Sequence, residues 1–225
     1  MASAPAPAEE LLEELLEECT EVARIALTSA GRNRAVWLAA FALDGRIGRM
    51  VLGASEPLLG QMRLAWWRDQ LAVPGSARPQ GDPLLDLIGA EWAGHERALS
   101  DLVDGWEALL GERPLSEPAM QRFLDGRGAL GSGVAQRLLQ PESAQPAAEA
   151  SRLWARADLA AYAGDASERE HALSATASLP RLPRELRPLS IMGGLAGRSL
   201  RRGGVPMVGD RFSPLVALRL GLFGR

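Results

Sequence analysis

Residues 35–43 read AVWLAAFAL, which is apolar nearly all the way round a helical wheel. A helix without a polar face has nothing to show to water, so it must sit inside a bundle of other helices. The rest of the chain supplies them. Residues 9–30 repeat leucine at helical spacing, begin with glutamates that suit a helix N-terminus, and stop at Gly31. The apolar helix itself spans 33–52. Ser55-Glu56-Pro57 then supplies an N-cap and an early-turn proline for the next helix, and Ser116-Glu117-Pro118 repeats that signal. Asp82-Pro83 opens a helix expected to run to Gly111 with a break near Gly94. Another follows over 147–178, after which Pro180, Pro183 and Pro188 exclude a continuous helix. Helices at 188–202 and 214–222 close the chain. Strand-like alternation is absent, so the expected fold is an all-α single domain over 1–225. Residues 1–8 are expected to be disordered, and 203–225 to form a C-terminal tail carrying the short last helix.

Charge and composition narrow the function classes. The formal net charge of −3 argues against a nucleic-acid partner. All 25 basic residues are arginine, which rules out Schiff-base chemistry on lysine. Cys19 is the single cysteine, so no intrachain disulfide forms, in keeping with a reducing cytoplasm. His95 and His171, the two histidines, do not combine with it into a recognisable zinc site. Residues 1–7 lack the basic and apolar regions of a signal peptide, and no apolar run approaches the roughly 18–20 residues of a membrane span. A cytoplasmic protein is expected. The basic stretch 197–207, GRSLRRGGVPM, leaves a peripheral contact with anionic lipid open.

The stretch QMRLAWWRDQL, residues 61–71, is the most unusual in the chain. On a helical wheel Met62, Leu64, Trp66, Trp67 and Leu71 share an arc of about 200°, and Arg63 and Gln70 fall inside it. Trp66 and Trp67 are therefore expected to be core walls, or pocket walls if a cavity lies beside them. A guanidinium on a buried face needs a carboxylate or another anion. Arg63 is expected either to have such a partner or to lay its stem on Trp67 and send its head to water. Arg68 and Asp69, on the opposite face, read as a solvated pair.

With residues 37–71 in view, the chain resembles the squalene/phytoene synthase family. WLAAFALDGRIGRMVLGASEPLLGQMRLAWWRDQL is similar to that family's L-x-A-F segment, a serine- or proline-marked turn, and R-L-x-W-W-R-D-x-L. LVDGWEALL (102–110) resembles its L-I-E-G-M-x-x-D-L helix. FLDGRGALGSGVAQRLL (123–139) is similar to Y-x-x-x-x-A-G-x-x-G, and SLPRLPREL stands where the family has its L-P turn. The resemblance covers roughly residues 30–200. It implies the isoprenoid synthase type of helical bundle, with a central cavity for prenyl diphosphates and pocket walls that include Phe41, Trp66, Trp67 and Phe123.

The departures from that pattern bear on activity. Active members hold Mg²⁺ with two acidic motifs, whose spacing puts carboxylates on one helical face. The metal offsets charge on the departing diphosphate. Counting from Phe41, the acids of A-F-C-R-x-x-D-D-x-x-D fall here on Arg46, Ile47 and Met50, and the aspartate of the third helix on Leu109. For the second motif only Asp165, Glu168 and Glu170 are nearby, without the expected spacing. They read as solvated charge, with Asp165 and Glu168 as weak metal candidates. An aspartate-poor subgroup, which includes mitochondrial complex I assembly factors, reads F-x-x-E-x-x-R-x-x-R. This chain resembles it more closely, with Phe41, Asp44 for the glutamate, and Arg49 near the last arginine.

Several expectations follow. Asp44, or else Asp104, pairs with Arg63 as a buried charge pair. Arg46 and Arg49, on one face, bind an anion without metal or stay on the surface. Arg46, Arg49, Arg63 and Gln70 are the ligand- or anion-binding candidates. Gly126–Gly131 spells G-x-G-x-x-G, but its helical context and the missing βαβ frame point to close helix packing, not to a dinucleotide site. No nucleophile elbow marks a hydrolase. The expected function is a catalytically silent, cofactor-free family member that binds a prenyl lipid, another anionic ligand or a partner protein. The alternative is an active prenyltransferase using Mg²⁺ through unconventional ligands.

Overall fold

The computed structural model describes residues 7–174, 178–209 and 213–223, and its side chains over 12–174, 178–209 and 216–221. Among the described residues there are eleven α-helices, several 3-10 turns and no strand, so the all-α expectation holds. The helices are α1 (Pro7–Glu18), α2 (Glu21–Leu27), α3 (Arg34–Leu52), α4 (Pro57–Ala72), α5 (Pro83–Glu91), α6 (Glu96–Glu107), α7 (Glu117–Arg137), α8 (Ala144–Tyr162), α9 (Ala166–Leu173), α10 (Arg187–Arg201) and α11 (Ser213–Phe223). Disorder expected for 1–8 lies outside the described residues up to position 6; Pro7 and Ala8 begin α1.

The apolar helix takes the central place its sequence demands. On α3 the run from Val36 to Gly45 is buried, and α1, α2, α5 and α6 all pack against it. Its glycine is part of the reason. A Cβ on Gly45 would collide with the backbone carbonyl of Glu18, so the end of α1 can lie directly on α3 only at a glycine. The same device joins α6 to α7, where a Cβ on Gly105 would fall 2.9 Å from the Cα of Gly126. The G-x-G-x-x-G stretch is thus a helix-packing surface inside α7, as its context implied.

Two expected helices are divided, and a third breaks near Gly94 as expected. Residues 9–30 break at Cys19–Thr20, because Thr20 caps α2 by accepting from the Ala23 amide. The segment after Asp82 breaks over Trp92–His95, with Gly94 at φ +81°, a left-handed turn that glycine takes without strain. The helix expected over 147–178 starts at Ala144 and ends at Tyr162. Asp165 then caps α9 through Ser167, and residues 175–177 lie outside the described residues. Ser116 and Asp82 cap α7 and α5 as the sequence signals, whereas Glu56 rather than Ser55 occupies the cap of α4.

The C-terminal segment is not a loose tail. Gly204, Met207, Ala217 and Leu220 are buried, and α11 packs on α10 and α2. Among the described residues no helix is long and apolar enough to cross a membrane.

Candidate functional site

The chemistry of the interior begins on α7. Phe123, Arg127, Leu130 and Val134 follow at helical spacing and all are buried, so Arg127 projects from an apolar stripe, its side chain 1% exposed. Three aromatic rings surround its guanidinium. Its Cζ lies 3.8 Å from the ring centre of Trp154, 4.8 Å from Phe123 and 5.1 Å from Trp106. Burial there demands anionic partners. Asp44 of α3 supplies a bidentate one: Nε donates to Oδ1 and Nη2 to Oδ2, each at 3.0 Å. Trp106 Nε1 donates to the same Asp44 Oδ1 at 2.8 Å. Arg127 Nη1 donates to Oδ2 of Asp158 on α8. Four helices (α3, α6, α7 and α8) thus meet at one buried charge cluster.

Its two aspartates are not equivalent. The Asp44 side chain is 2% exposed, whereas that of Asp158 is 21% exposed. Burial raises the pKa of Asp158 above the ordinary carboxylate value, and Arg127 offsets only part of that cost. Burial by itself would lower the pKa of Arg127, but the field of Asp44 and Asp158 reverses the sign and raises it.

A cavity of about 290 Å³ opens beside this cluster, and Asp44, Arg127 and Asp158 lie on its wall together with Glu21, Arg49, Arg113 and Glu168. Trp106, Leu109, Phe123 and Leu159 make the apolar part. Pro206, Met207 and Val208 close another side. The segment expected to be a tail therefore helps to form the cavity. At the edge Glu168 takes Arg113 Nη1 at 2.9 Å and the Leu115 amide at 2.5 Å. Glu168 is buried and is not the solvated charge its sequence suggested, whereas Asp165 serves as a helix cap.

The other sequence candidates fall elsewhere. Arg63 is exposed, does not line the cavity and makes no pair with Asp44; Arg127 takes that place. Asp104 pairs instead with Arg68, which bridges it to Glu107 and is not in a solvated pair with Asp69. Arg46 and Arg49 do sit on one side of α3, but the anion they hold is the protein's own. Arg46 donates to Glu18 Oε1 at 2.8 Å and to Asp82 Oδ2 at 2.7 Å, tying α1, α3 and the cap of α5 together. Arg49, which lines the cavity, pairs with Glu18. Gln70 is half-buried, and its backbone carbonyl accepts from Arg78. Phe41 and Trp67 are core at 1% and 2% exposure and Trp66 is exposed at 42%; none of the three lines the cavity. Of the expected pocket walls, Phe123 holds that position.

Arg127 and Asp158 lie outside the motif positions of the resemblance. The signal was the stripe from Phe123 to Val134, which interrupts its apolar register with one arginine, and the Trp154–Asp158 step one turn apart in an alanine-rich helix. Arg46, Ile47 and Met50 occupy the acidic positions of the resemblance, and the described residues contain no group of three or more His, Cys, Asp or Glu able to hold a metal. Comparison of the chain with models of protein families, with curated proteins and with solved structures found no match.

Proposed function

We propose that this protein is a catalytically silent binding protein of the squalene/phytoene synthase type, which holds one apolar, isoprenoid-like chain in the cavity between α3, α6, α7 and α8. The observation that carries the reading is the cavity itself: an apolar wall of Trp106, Leu109, Phe123 and Leu159 set against the Asp44–Arg127–Asp158 charge cluster. Its size supports one ligand chain. At about 290 Å³ it lies at the lower end of the roughly 300–1,000 Å³ of small-molecule pockets, too small for two prenyl chains side by side. A condensing enzyme needs both substrates at once. The donor set supports silence as well, since ionising a diphosphate ester calls for carboxylate-held metal where this chain has Arg46, Ile47 and Met50.

The test has two parts. Farnesol should bind and quench tryptophan emission, and a Leu109→Trp variant that fills the cavity should abolish the response. With farnesyl diphosphate and Mg²⁺, diphosphate release should stay at background. Release above background would overturn the silent reading, and binding unaffected by Leu109→Trp would place the ligand outside the cavity.

A further inference from the structure

The charge balance of the cavity wall specifies the polar end of the ligand. Glu21, Asp44, Asp158 and Glu168 line it, against Arg49, Arg113 and Arg127. Each of those guanidiniums is held by a carboxylate of the protein. Arg127 is bound by Asp44 and Asp158, Arg113 by Glu168, and Arg49 by Glu18, which Arg46 also holds. An anionic head at Arg127 would have to displace Asp44 or Asp158 and leave a carboxylate buried without its partner, a costly exchange. The inner cluster is unbalanced in the opposite sense. Two aspartates share Arg127. Asp44 is used on both oxygens by Arg127 and Trp106. Asp158 gives Oδ2 to Arg127, is the more exposed of the two, and lies on the cavity wall.

Resting on the cavity reading above, we infer that the ligand is a cationic amphiphile, an amine whose ammonium group seats against the Asp158 carboxylate while its apolar chain lies along Leu109, Phe123 and Leu159. An ammonium supplies the charge the inner cluster lacks and donates a charge-assisted hydrogen bond to an acceptor that burial leaves poorly solvated. No bond is made or broken, and the protein holds the amine as a guest. Burial raises the pKa of Asp158, and an ammonium beside it would favour the ionised carboxylate that burial disfavours. The affinity should accordingly fall as the pH is lowered and Asp158 takes up its proton. The other charged groups near the cluster, Asp44, Arg127, Arg113 and Glu168, are locked in pairs.

Octylamine, octanol and octyl phosphate share one chain and differ only in head group, so their calorimetric titration into the full chain at pH 7 isolates the inference. Octylamine should bind at least about tenfold more tightly than either of the others. In Asp158→Asn, checked for folding by circular dichroism, that preference should collapse to within about twofold while octanol binding persists. Equal affinity for the three, or preference for the phosphate, overturns the cationic head and leaves the cavity reading standing. Preference retained in Asp158→Asn also overturns it. Failure of all three probes to bind, or binding untouched by Leu109→Trp, brings down the cavity reading itself.

Discussion

Asp44 and Asp158 contact the same arginine, yet their substitution should have opposite consequences. Asp44 is fully buried and holds Arg127 at both oxygens, so Asp44→Ala leaves Nε and Nη2 of Arg127 without acceptors among aromatic rings. The expected loss is about 3–5 kcal/mol in chemical denaturation, the usual cost of breaking a buried pair from one side. A loss below about 1 kcal/mol would mean that Arg127 finds another route to solvation. Asp158 follows the linkage sign of a carboxyl whose folded-state pKa is raised. Its contribution is fully present below the ordinary carboxylate range and is lost as pH rises through the raised value. Asp158→Asn cannot ionise, so its melting temperature should gain on the wild type between mildly acidic and neutral pH. A gap that is constant or narrowing over that interval would contradict the direction of the shift. At this scale the sequence was misleading for a definite reason. Which acid meets which arginine depends on the relative rotation of several helices, and Arg63 sits in a run that looks half-buried on paper. Arg127 could still have been singled out, because its whole stripe from Phe123 to Val134 is otherwise apolar.

Helix α4 shows how far periodicity reaches for an element. Its existence and its proline start were legible, but a 200° apolar arc does not say which part will be covered. That depends on how many neighbours the helix has, and α4 lies mainly against α6 with lesser contact to α3. One stripe is buried: Gly60, Leu64, Trp67 and Leu71. Leu58, Met62 and Trp66 follow at i, i+4 and i+8 on a face open to water. The adjacent tryptophans therefore differ in kind. Trp67, at 2% exposure, packs under the Arg46 guanidinium at 5.7 Å, whereas Trp66 is 42% exposed and meets Trp67 edge-on. Trp67→Ala should cost about 3–5 kcal/mol, and Trp66→Ala about 1 kcal/mol or less, by urea denaturation. Equal losses would show that Trp66 is covered in solution. The breaks at Thr20 and Asp165 fall under the same lesson. Each carries a capping residue that was visible in the sequence, but continuous leucine or alanine periodicity outweighed it, whereas the break near Gly94 was legible from its glycine.

For the whole molecule the chain announced its class through one segment. A helix apolar on every side requires a bundle, and residues 35–43 lie at the centre of one. The cavity was not legible in this way, because its wall is assembled from α3, α6, α7, α8 and a stretch near the C-terminus that no periodicity links to them. Residues 203–209 looked like a tail, being rich in glycine and following three arginines. In the folded protein Met207 is buried and lines the cavity, and Leu220 on α11 is 3% exposed. Ending the chain after Arg202 therefore removes part of the core as well as part of the cavity wall. Each such side chain stabilises by about 1.5–3 kcal/mol when buried, so Met207 and Leu220 together account for a loss of about 3–6 kcal/mol. The shortened protein should unfold at distinctly lower urea concentration and should no longer answer farnesol with a change in tryptophan emission. A midpoint within about 1 kcal/mol of the full chain would mean that this segment rests on the bundle without contributing to it, and that the cavity is complete without Pro206, Met207 and Val208.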